Sequence, residues 1–368
     1  MSSHRRVVAL DVLRGASVAA MVVVNNPGNW QSVYPPLVHA AWNGCTLADL
    51  VFPFFVFIMG VGLPFALDRN RVPRVDDSAI LGRILKRAAT LIVLGLLLNG
   101  VIAWPHVASL RIPGVLQRIA LTYVIAATAV WYLRPRNQLL LCGALLIVHW
   151  VLLGISLDVP HLSASQSLAA WIDQRVFGRH LLRPTGDPEG LLGTISSTGT
   201  ALMGAAAGHW MRHHRERPRF MLAGLCAGGL CAIVVGLAWA RVLPMNKSLW
   251  TGSYAVYAAG LAALLFSATH VAVERFRGGV ALPLEWLGTN ALAIYVGSEF
   301  ISRLLDVPMI RQSAALVSIK DVVFWQWMVP ALRDGGGNRS SLAFGLAYAV
   351  AWTAVAGVAH WRGVLIRL

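Results

Sequence analysis

The sequence predicts an all-α fold: a polytopic membrane helix bundle of about ten transmembrane helices, with both chain ends in the cytoplasm. Composition gives the first two reasons. Of the 368 residues, 57% are hydrophobic and only 13% are charged, whereas soluble domains average about 25% charged residues. The third reason is that long apolar stretches recur along the whole chain. Because a backbone inside lipid must satisfy its polar groups internally, these stretches should be helices.

Ten apolar segments are long enough to cross a hydrocarbon layer about 30 Å thick. Together with their loops we expect them to form a single domain over residues 1–368, with long outer loops at 157–190 and 305–340. The predicted spans are Val8–Val24, Cys45–Leu67, Ile80–Trp104, Ile112–Leu133, Gln138–Ser156, Leu191–Met211, Phe220–Val242, Thr251–Val273, Leu282–Leu304 and Ser341–His360.

Basic residues are unevenly distributed among the predicted loops. With the amino terminus placed in the cytoplasm, the short inner loops hold more than half of the 31 Lys and Arg residues. Cytoplasmic loops of membrane proteins carry such an excess, so the distribution predicts an N-in, C-in orientation and contact with membrane lipids. It also accounts for the net charge of +15, and we therefore expect no nucleic-acid partner.

All four cysteines lie in apolar segments, which is typical of small core residues and not of a disulfide framework. No spacing of potential ligands suits a zinc site, and we expect no metal. The first apolar segment contains Asp11 and Arg14 and is not followed by a small-residue cleavage site. It is therefore predicted to be a retained helix and not a signal peptide.

Charged and amide side chains mark the first helix and its end. Asp11 and Arg14 are three residues apart and can pair on one helical face. Alternatively, Arg14 faces a cavity and binds an anionic ligand, since ionised groups inside a membrane usually face the bundle interior. The helix stops near Asn25 and Asn26. Each of these carboxamides either caps the helix or points towards the same cavity as His39.

The stretch from residue 39 to residue 49 is predicted to hold the site around which the chain is organised. His39, Trp42 and Asn43 form a polar segment, and Asp49 follows one turn into the next apolar helix. If the first two helices are antiparallel neighbours, Asn25, His39 and Asp49 converge at one end of the bundle. A single histidine is more often structural than catalytic, but this combination at a water-accessible boundary favours function.

Other polar residues lie in or next to predicted spans. Arg83 on the inner side either faces lipid head groups or receives phosphates. Gln117 and Arg118 lie about one turn inside the membrane, where a guanidinium must pair or face water. For Arg118, binding of a ligand anion and an internal salt bridge are weighed equally. Asn290 lies mid-membrane and is either a contact between helices or part of a cavity.

The outer side carries two further polar groups of residues. Asp187 and Glu189 are either acidic residues at a helix amino terminus or a rigid lip that receives an amine or a hydroxylated substrate. Asn246, Lys247 and Tyr254 form a hydrogen-bonding surface on the side predicted for His39.

Polar groups at both ends of the bundle fit two classes of protein. One is a transporter; the other is an enzyme that passes a group from a cytoplasmic donor to an outer acceptor. A transporter would be expected to contain broken helices and paired repeats, whereas a histidine in a polar segment is typical of a general base. The residues favour the enzyme and leave the transporter open.

Five motifs carry a resemblance to a known family, and they occur in order along essentially the whole chain. They are LDVLRG at 10–15, HAAWNG followed by TLADLVFP at 39–53, RIPGVLQ at 111–117, DPEGLLG at 187–193 and NKSLW at 246–250. With them the sequence resembles the heparan-α-glucosaminide N-acetyltransferase family of transmembrane acyltransferases. We expect a member similar to the bacterial NagX-type proteins, without the amino-terminal lumenal domain of the lysosomal enzymes.

The resemblance implies that acetyl passes from cytoplasmic acetyl-CoA to the amine of a terminal glucosamine on the far side of the membrane. The family histidine corresponds to His39. The family asparagine corresponds most naturally to Asn25, with Asn26 left open. Free glucosamine or a short chitosan-like sugar in the periplasm is the expected acceptor, with the protein as a homodimer in a bacterial inner membrane.

In the expected mechanism His39 takes the proton of the acceptor amine, Asn25 donates to the developing oxyanion and Asp49 orients the imidazole. A ping-pong route through acetylated His39 is the alternative. Two other functions stay open: an O-acyltransferase acting on a lipid or polysaccharide hydroxyl, and an amino-sugar transporter. Predicted acceptor contacts are Trp42, Asn43, Asp187, Glu189, Asn246, Lys247 and Tyr254, and predicted acetyl-CoA contacts are Arg14, Arg83, Gln117, Arg118 and Asn290.

Overall fold

The structure is a computed structural model that describes residues 8–67, 76–103, 107–155, 167–275, 281–312 and 315–366. Predicted loop residues 1–6, 68–75, 157–166 and 276–279 lie outside the described part. Helices dominate, and the predicted all-α membrane bundle is confirmed. In chain order the helices are α1 (Val8–Asn25), α2 (Leu47–Ala66), α3 (Asp77–Ala103), α4 (Val115–Tyr132), α5 (Pro135–Ile155), α6 (Leu168–Phe177), α7 (Leu191–His213), α8 (Pro218–Trp239), α9 (Gly252–Arg275), α10 (Leu282–Thr289), α11 (Ala291–Leu305), α12 (Ile319–Val322), α13 (Val329–Leu332) and α14 (Asn338–Trp361).

All predicted spans but one coincide with a single helix to within about three residues at either end, which is the usual uncertainty of a boundary. Among the described residues, eight helices are long and apolar enough to cross a membrane. Helix α7 is not one of them, because its Gly, Ser and Thr residues lower its hydropathy. The count of about ten crossings and the orientation of the chain therefore stay predictions.

The ninth predicted span, Leu282–Leu304, is wrong as a single helix. It is broken at Asn290, whose backbone leaves the helical conformation (φ −119°, ψ 27°) between α10 and α11. The Asn290 side chain instead binds the chain near its carboxyl end. Its Nδ2 donates to the Val364 carbonyl (3.0 Å), and its Oδ1 accepts from the Ile366 N–H (2.8 Å). The buried carboxamide thus makes two hydrogen bonds to the backbone at the position where the helix is interrupted.

Short elements in the two long predicted outer loops were not predicted from the sequence. In the first loop, Ser167 caps α6 by accepting a hydrogen bond from the Ala170 N–H (3.2 Å). In the second loop, strands β1 (Pro308–Gln312) and β2 (Ala315–Ser318) pair antiparallel. Ser318 and Asp321 then form a capping box at the start of α12. The hydroxyl and carboxylate caps satisfy helix N–H groups that lack intrahelical partners.

The chain divides into two compact units. The first comprises Met1–His39, Thr46–Val51 and Thr269–Leu368, and the second comprises Ala40–Cys45 and Phe52–Ala268. A single domain over residues 1–368 stays a prediction.

In the first unit, α1 packs against α10, α11 and α14. Gly15 and Gly288 bring α1 and α10 into backbone contact. A methyl group added at Gly15 would lie 1.8 Å from the Leu284 carbonyl oxygen, and one at Gly288 would lie 1.8 Å from the Asp11 carbonyl oxygen. Small residues at such a crossing permit the close packing on which helix association in lipid depends. The glycine of the LDVLRG motif is therefore a packing residue.

In the second unit, α7 packs against α4, α5, α6 and α8, and its glycines also approach α2. Gly204 faces the Phe57 carbonyl, and Gly60 of α2 faces the Ala201 carbonyl. The small residues of α7 permit this close approach of the two helices.

Trp250 forms the centre of the second unit, and its side chain is fully buried. Its ring meets Phe52 and Tyr254 edge-on, with centroid distances of 4.9 and 5.6 Å. Its Nε1 donates to the Thr200 hydroxyl (3.1 Å), and the Arg118 guanidinium lies 5.3 Å from its ring. Its backbone has a positive φ of 53°, which is costly for a bulky residue. The last residue of the NKSLW motif therefore joins helices α2, α4, α7 and α9.

A pair of glycines on α2 tests the close approach of α2 and α7. Gly60→Ala should lower the melting temperature in detergent, because the new methyl would lie 2.0 Å from the Ala201 carbonyl oxygen. Gly62→Ala is the matched control, since nothing lies within 4 Å of a methyl group there. It should leave the melting temperature unchanged or raise it, because Ala is favoured over Gly in a helix by about 1 kcal/mol. Equal behaviour of the two variants would contradict the packing.

Candidate functional site

The first unit holds His39 against Asp49. His39 Nδ1 lies 2.8 Å from Asp49 Oδ1. The second carboxylate oxygen, Oδ2, accepts from both the backbone N–H and the hydroxyl of Thr46, each at 3.0 Å. Thr46 directly precedes α2, so Asp49 reaches back over the first turn as the acidic member of a capping box does. The start of the helix thereby fixes the carboxylate that holds the imidazole.

This geometry determines how the imidazole presents its nitrogens. An ionised carboxylate only accepts hydrogen bonds, so Nδ1 carries a proton and the lone pair of the neutral ring lies on Nε2. The Asp49 side chain is 1% exposed, whereas that of His39 is 45% exposed. A buried carboxylate orienting an accessible imidazole is the base–orienter arrangement found in general-base sites.

The structure separates the roles of the two asparagines that end α1. Asn26 is buried, and its Nδ2 donates to the Val22 carbonyl of its own helix (2.7 Å). Asn25 is half-buried, and its Nδ2 donates to Glu299 Oε1 on α11 (2.8 Å). The arrangement supports Asn25 as the family asparagine, because the Asn26 side chain folds back onto its own helix. Glu299 was not among the predicted site residues.

The basic residues predicted for acetyl-CoA lie in different surroundings. Arg14 pairs with Asp11 (3.0 Å), as their spacing predicted. Arg83 is exposed on α3. Gln117 is buried between Gly95 and Gly114, and its Nε2 makes no hydrogen bond to a described residue. Arg118 is 1% exposed. Its NH2 donates to the Gly190 carbonyl (2.9 Å), and its guanidinium lies over the ring of Trp250.

Two motifs of the second unit interlock through Arg111. Its Nε donates to Asp187 Oδ2 (2.8 Å) and its NH2 to Asp187 Oδ1 (2.5 Å) and to Glu189. Asp187 also accepts from the N–H groups of Leu182 and Glu189, both at 2.9 Å. The predicted acidic lip is thus bound by an internal guanidinium. Its arginine partner lies in the RIPGVLQ motif, but no spacing in the sequence showed that these two motifs meet.

Ion pairing governs the titration of this cluster. Burial on its own would raise the pKa of the Asp187 carboxyl, but the hydrogen bonds and charge of Arg111 hold it below its ordinary value. For Arg111, burial opposes the charged form, yet its hydrogen bond to Asp187 and the charges of Glu189 and Asp187 raise its pKa above its ordinary value. Both groups are therefore charged at neutral pH.

The remaining predicted acceptor residues lie around the turn at 244–251. Asn43 Oδ1 accepts from Asn246 Nδ2 (3.1 Å), and the Gly44 N–H donates to the Met245 carbonyl (2.8 Å). Asn246 Oδ1 also accepts from the Leu249 N–H (2.9 Å). Asn246 and Tyr254 are fully buried, and Lys247 is partly exposed. The sequence placed Asn43 and Asn246 in one group by type; their direct contact is a result of the fold.

A small cavity of about 40 Å³ opens beside this turn. Trp42, Asp173 and Asp187 are among the residues that line it. Burial raises the pKa of Asp173, the carboxylate of α6. Since one water needs roughly 10–15 Å³ of such volume, the cavity accommodates a few waters and no sugar ring. Within the described ranges, no group of three or more His, Cys, Asp or Glu residues is placed to hold a metal ion.

Comparison with known proteins gives one family. Residues 6–182 match the family model described as heparan-alpha-glucosaminide N-acetyltransferase, catalytic. The mouse (Mus musculus) heparan-alpha-glucosaminide N-acetyltransferase is 29% identical over 82% of this chain and 54% of its own length. The human (Homo sapiens) protein of the same name is 28% identical over 80% of this chain and 53% of its own length.

The chain is thus similar to the heparan-alpha-glucosaminide N-acetyltransferase family, both by the family model and by the two relatives. The resemblance seen in the motifs is confirmed, while the bacterial NagX-type subgroup stays a prediction. The matched region contains the His39–Asp49 pair and Arg111. The chain spans about half the length of the curated family members that it matches.

The ion pairs of Arg111 with Asp187 and Glu189 give a prediction about stability. Arg111→Lys should lower the free energy of unfolding by about 2 kcal/mol, because Lys cannot reproduce the forked contacts to two carboxylates. Thermal unfolding in detergent measures the loss. Arg179→Lys is the matched control, since Arg179 is exposed in the loop that carries Asp187 and Glu189. A control that loses as much would contradict the assignment.

Acidification of the Asp187→Asn variant tests the same cluster. Because the folded-state pKa of Asp187 is lowered, its stabilising effect is present above the ordinary aspartate pKa of about 3.9 and is lost as the pH falls through the folded-state value. We expect the gap in melting temperature between wild type and Asp187→Asn to be full at pH 6–7 and to narrow as the pH falls below about 4. A gap that stays constant with pH would contradict the ion pair.

Proposed function

We propose that this protein is a transmembrane N-acetyltransferase that moves acetyl from cytoplasmic acetyl-CoA to the amine of glucosamine or a short glucosaminide on the opposite side of the membrane. One observation carries the proposal: an accessible His39 imidazole is oriented by the buried Asp49 carboxylate at 2.8 Å. Similarity to the N-acetyltransferase family supports acyl transfer as the chemistry. The proposed location is a bacterial inner membrane, with the protein as a homodimer.

The proposed reaction joins the amine nitrogen to the thioester carbonyl carbon. As the new C–N bond forms, His39 Nε2 takes a proton from the acceptor nitrogen. The carbon–sulfur bond then breaks, the CoA thiolate leaves, and the imidazolium returns the proton to the sulfur. Asp49 stabilises the imidazolium through Nδ1 without being protonated itself. The products are the N-acetylated sugar and free CoA, and the histidine is restored.

Asn25 is the proposed donor to the oxyanion that develops on the thioester carbonyl oxygen. Removing one such donor typically costs about 3 kcal/mol in the transition state. The alternative covalent route, in which His39 itself carries the acetyl group, uses the same residues. In that route a labelled acetyl group would stay on the protein when no acceptor is present.

For binding, we propose that Asp187 and Glu189 act mainly by ordering the outer loop, because Arg111 occupies both carboxylates. Trp42, Asn43, Asn246, Lys247 and Tyr254 stay proposed acceptor contacts. Arg14, Arg83, Gln117, Arg118 and Asn290 stay proposed acetyl-CoA contacts. Acetyl transfer to a lipid or polysaccharide hydroxyl is tested by offering those acceptors to the same preparation.

An amino-sugar transporter is the second candidate, and one observation favours it. The break between α10 and α11 is a feature that transporters use to build substrate sites. Here, however, the carboxamide at the break binds the backbone at Val364 and Ile366. The chain's own carboxyl-terminal segment thus occupies the groups that a transported sugar would need. Uptake of glucosamine into protein-containing vesicles without acetyl-CoA would favour the transporter.

The catalytic proposal predicts the behaviour of a histidine pair. Purified wild-type protein should form labelled N-acetylglucosamine from radiolabelled acetyl-CoA and glucosamine. His39→Ala should lower kcat by at least about 100-fold, in the range of a lost general base, while the protein stays folded. His213→Ala, an exposed histidine at the end of α7, should keep the wild-type rate. Full activity of His39→Ala would remove His39 from the mechanism, and absence of wild-type product with every acceptor would reject the function.

A further inference from the structure

A polar contact joins the outer-end residues of α1 and α11 in the first unit. Asn25 Nδ2 donates to Glu299 Oε1 at 2.8 Å, although 274 positions separate the two residues. One turn further along α11, Arg303 NH2 lies 3.7 Å from Glu299 Oε2. The two carboxylate oxygens thus face different partners. No family motif contains Glu299, and the sequence gave it no role.

The contact lies where an unpaired carboxylate would be costly. The Glu299 side chain is 14% exposed on a helix within a predicted span. Burying an ionised carboxylate is tolerated only when it is hydrogen-bonded and paired. A hydrogen bond from an amide to such a group is also stronger and more directional than one between neutral groups. The energy of this contact therefore constrains the orientation of Asn25.

Glu299 determines which way the Asn25 carboxamide is turned. A carboxamide has two N–H donors on Nδ2 and one acceptor on Oδ1, and the two ends are almost the same shape. An ionised carboxylate accepts hydrogen bonds and cannot donate them. In the structure Nδ2 faces Glu299, and Oδ1 faces away. One N–H is used by Glu299, and the geometry of the planar amide directs the second N–H away from it.

We propose that Glu299 is the positioning residue for Asn25: it fixes the carboxamide so that its second N–H is directed to the oxyanion formed during acyl transfer. Arg303 contacts the other carboxylate oxygen and so holds Glu299 from its second side. The inference rests on the proposed function, because an oxyanion donor has a role only if acetyl is transferred. It goes beyond that function in assigning α11 a part in the chemistry.

A purely structural tie between α1 and α11 is the competing explanation, and an exchange of the two side-chain types separates it from positioning. In the double variant Asn25→Asp with Glu299→Gln, the glutamine amide donates to the aspartate. The hydrogen bond between the two helices is therefore kept, but donor and acceptor are exchanged. Position 25 then has no N–H to offer. A structural tie predicts recovery of both melting temperature and turnover; positioning predicts recovery of melting temperature alone.

The experiment measures melting temperature, kcat and both KM values in purified wild type, Asn25→Ala, Glu299→Gln, Glu299→Ala and the double variant. Tyr348→Phe is the matched control. It removes a different tie to α11, the hydrogen bond from the Tyr348 hydroxyl to the Ser298 carbonyl (2.7 Å). We expect Glu299→Gln to lower kcat roughly 10-fold and Glu299→Ala roughly 100-fold, as for a lost oxyanion donor. Both KM values should stay within about threefold, and Tyr348→Phe should keep the wild-type kcat.

The outcomes distinguish the inference from the function on which it rests. If wild type and Asn25→Ala differ in kcat while Glu299→Ala matches wild type, the positioning role is overturned and the function stands. Wild-type turnover in the double variant would likewise overturn it. If wild type makes no acetylated product, both the function and the inference fail. A low kcat of Glu299→Ala at nearly unchanged KM values, together with a restored melting temperature and a low kcat in the double variant, supports the inference.

Discussion

The hydrogen bond between His39 and Asp49 is the constraint on which the candidate chemistry depends. Asp49 is nearly inaccessible to solvent, and both its oxygens are used, one by the imidazole and the other by Thr46. A carboxylate buried at a membrane helix must be fully hydrogen-bonded. The start of α2 provides these partners, because the residue before a helix and the residue three positions later naturally meet. The Asp49 carboxylate thus both binds the residue that starts α2 and orients the imidazole of His39.

The family motifs are joined by contacts that explain several of their residue types. RIPGVLQ meets DPEGLLG through Arg111 with Asp187 and Glu189. Gly190 has no room for a side chain, because a methyl there would lie 1.8 Å from Asp173 Oδ2. HAAWNG meets NKSLW through the contact between Asn43 and Asn246. These contacts tie the motif segments of the second unit to one another.

Local pattern predicted the features that depend on local physics. Long apolar runs predicted the helices, and the spacing of Asp11 and Arg14 predicted their ion pair. The pairing of His39 with Asp49, ten residues apart, could also be predicted, because Asp49 lies on the first turn of a helix that closely follows His39. The family itself was recognisable from motif order.

Contacts between distant segments were beyond such reasoning. The bond from Asn25 to Glu299 and the cluster around Arg111 join residues 274 and 76 positions apart. The break at Asn290 was missed because the surrounding sequence is apolar and contains no proline at that point. Its cause lies near the carboxyl end of the chain, whose backbone binds the side chain.

The most direct test of the account is the turnover of Asp49→Asn in acetyl transfer from acetyl-CoA to glucosamine, measured under saturating substrates. Asparagine has the same shape but presents an amide to the imidazole, so it no longer fixes Nδ1 as the protonated nitrogen. The account predicts a fall in kcat of at least about 100-fold, the scale of a disabled general base, with both KM values nearly unchanged and the protein folded. A folded Asp49→Asn protein with the wild-type kcat would contradict it.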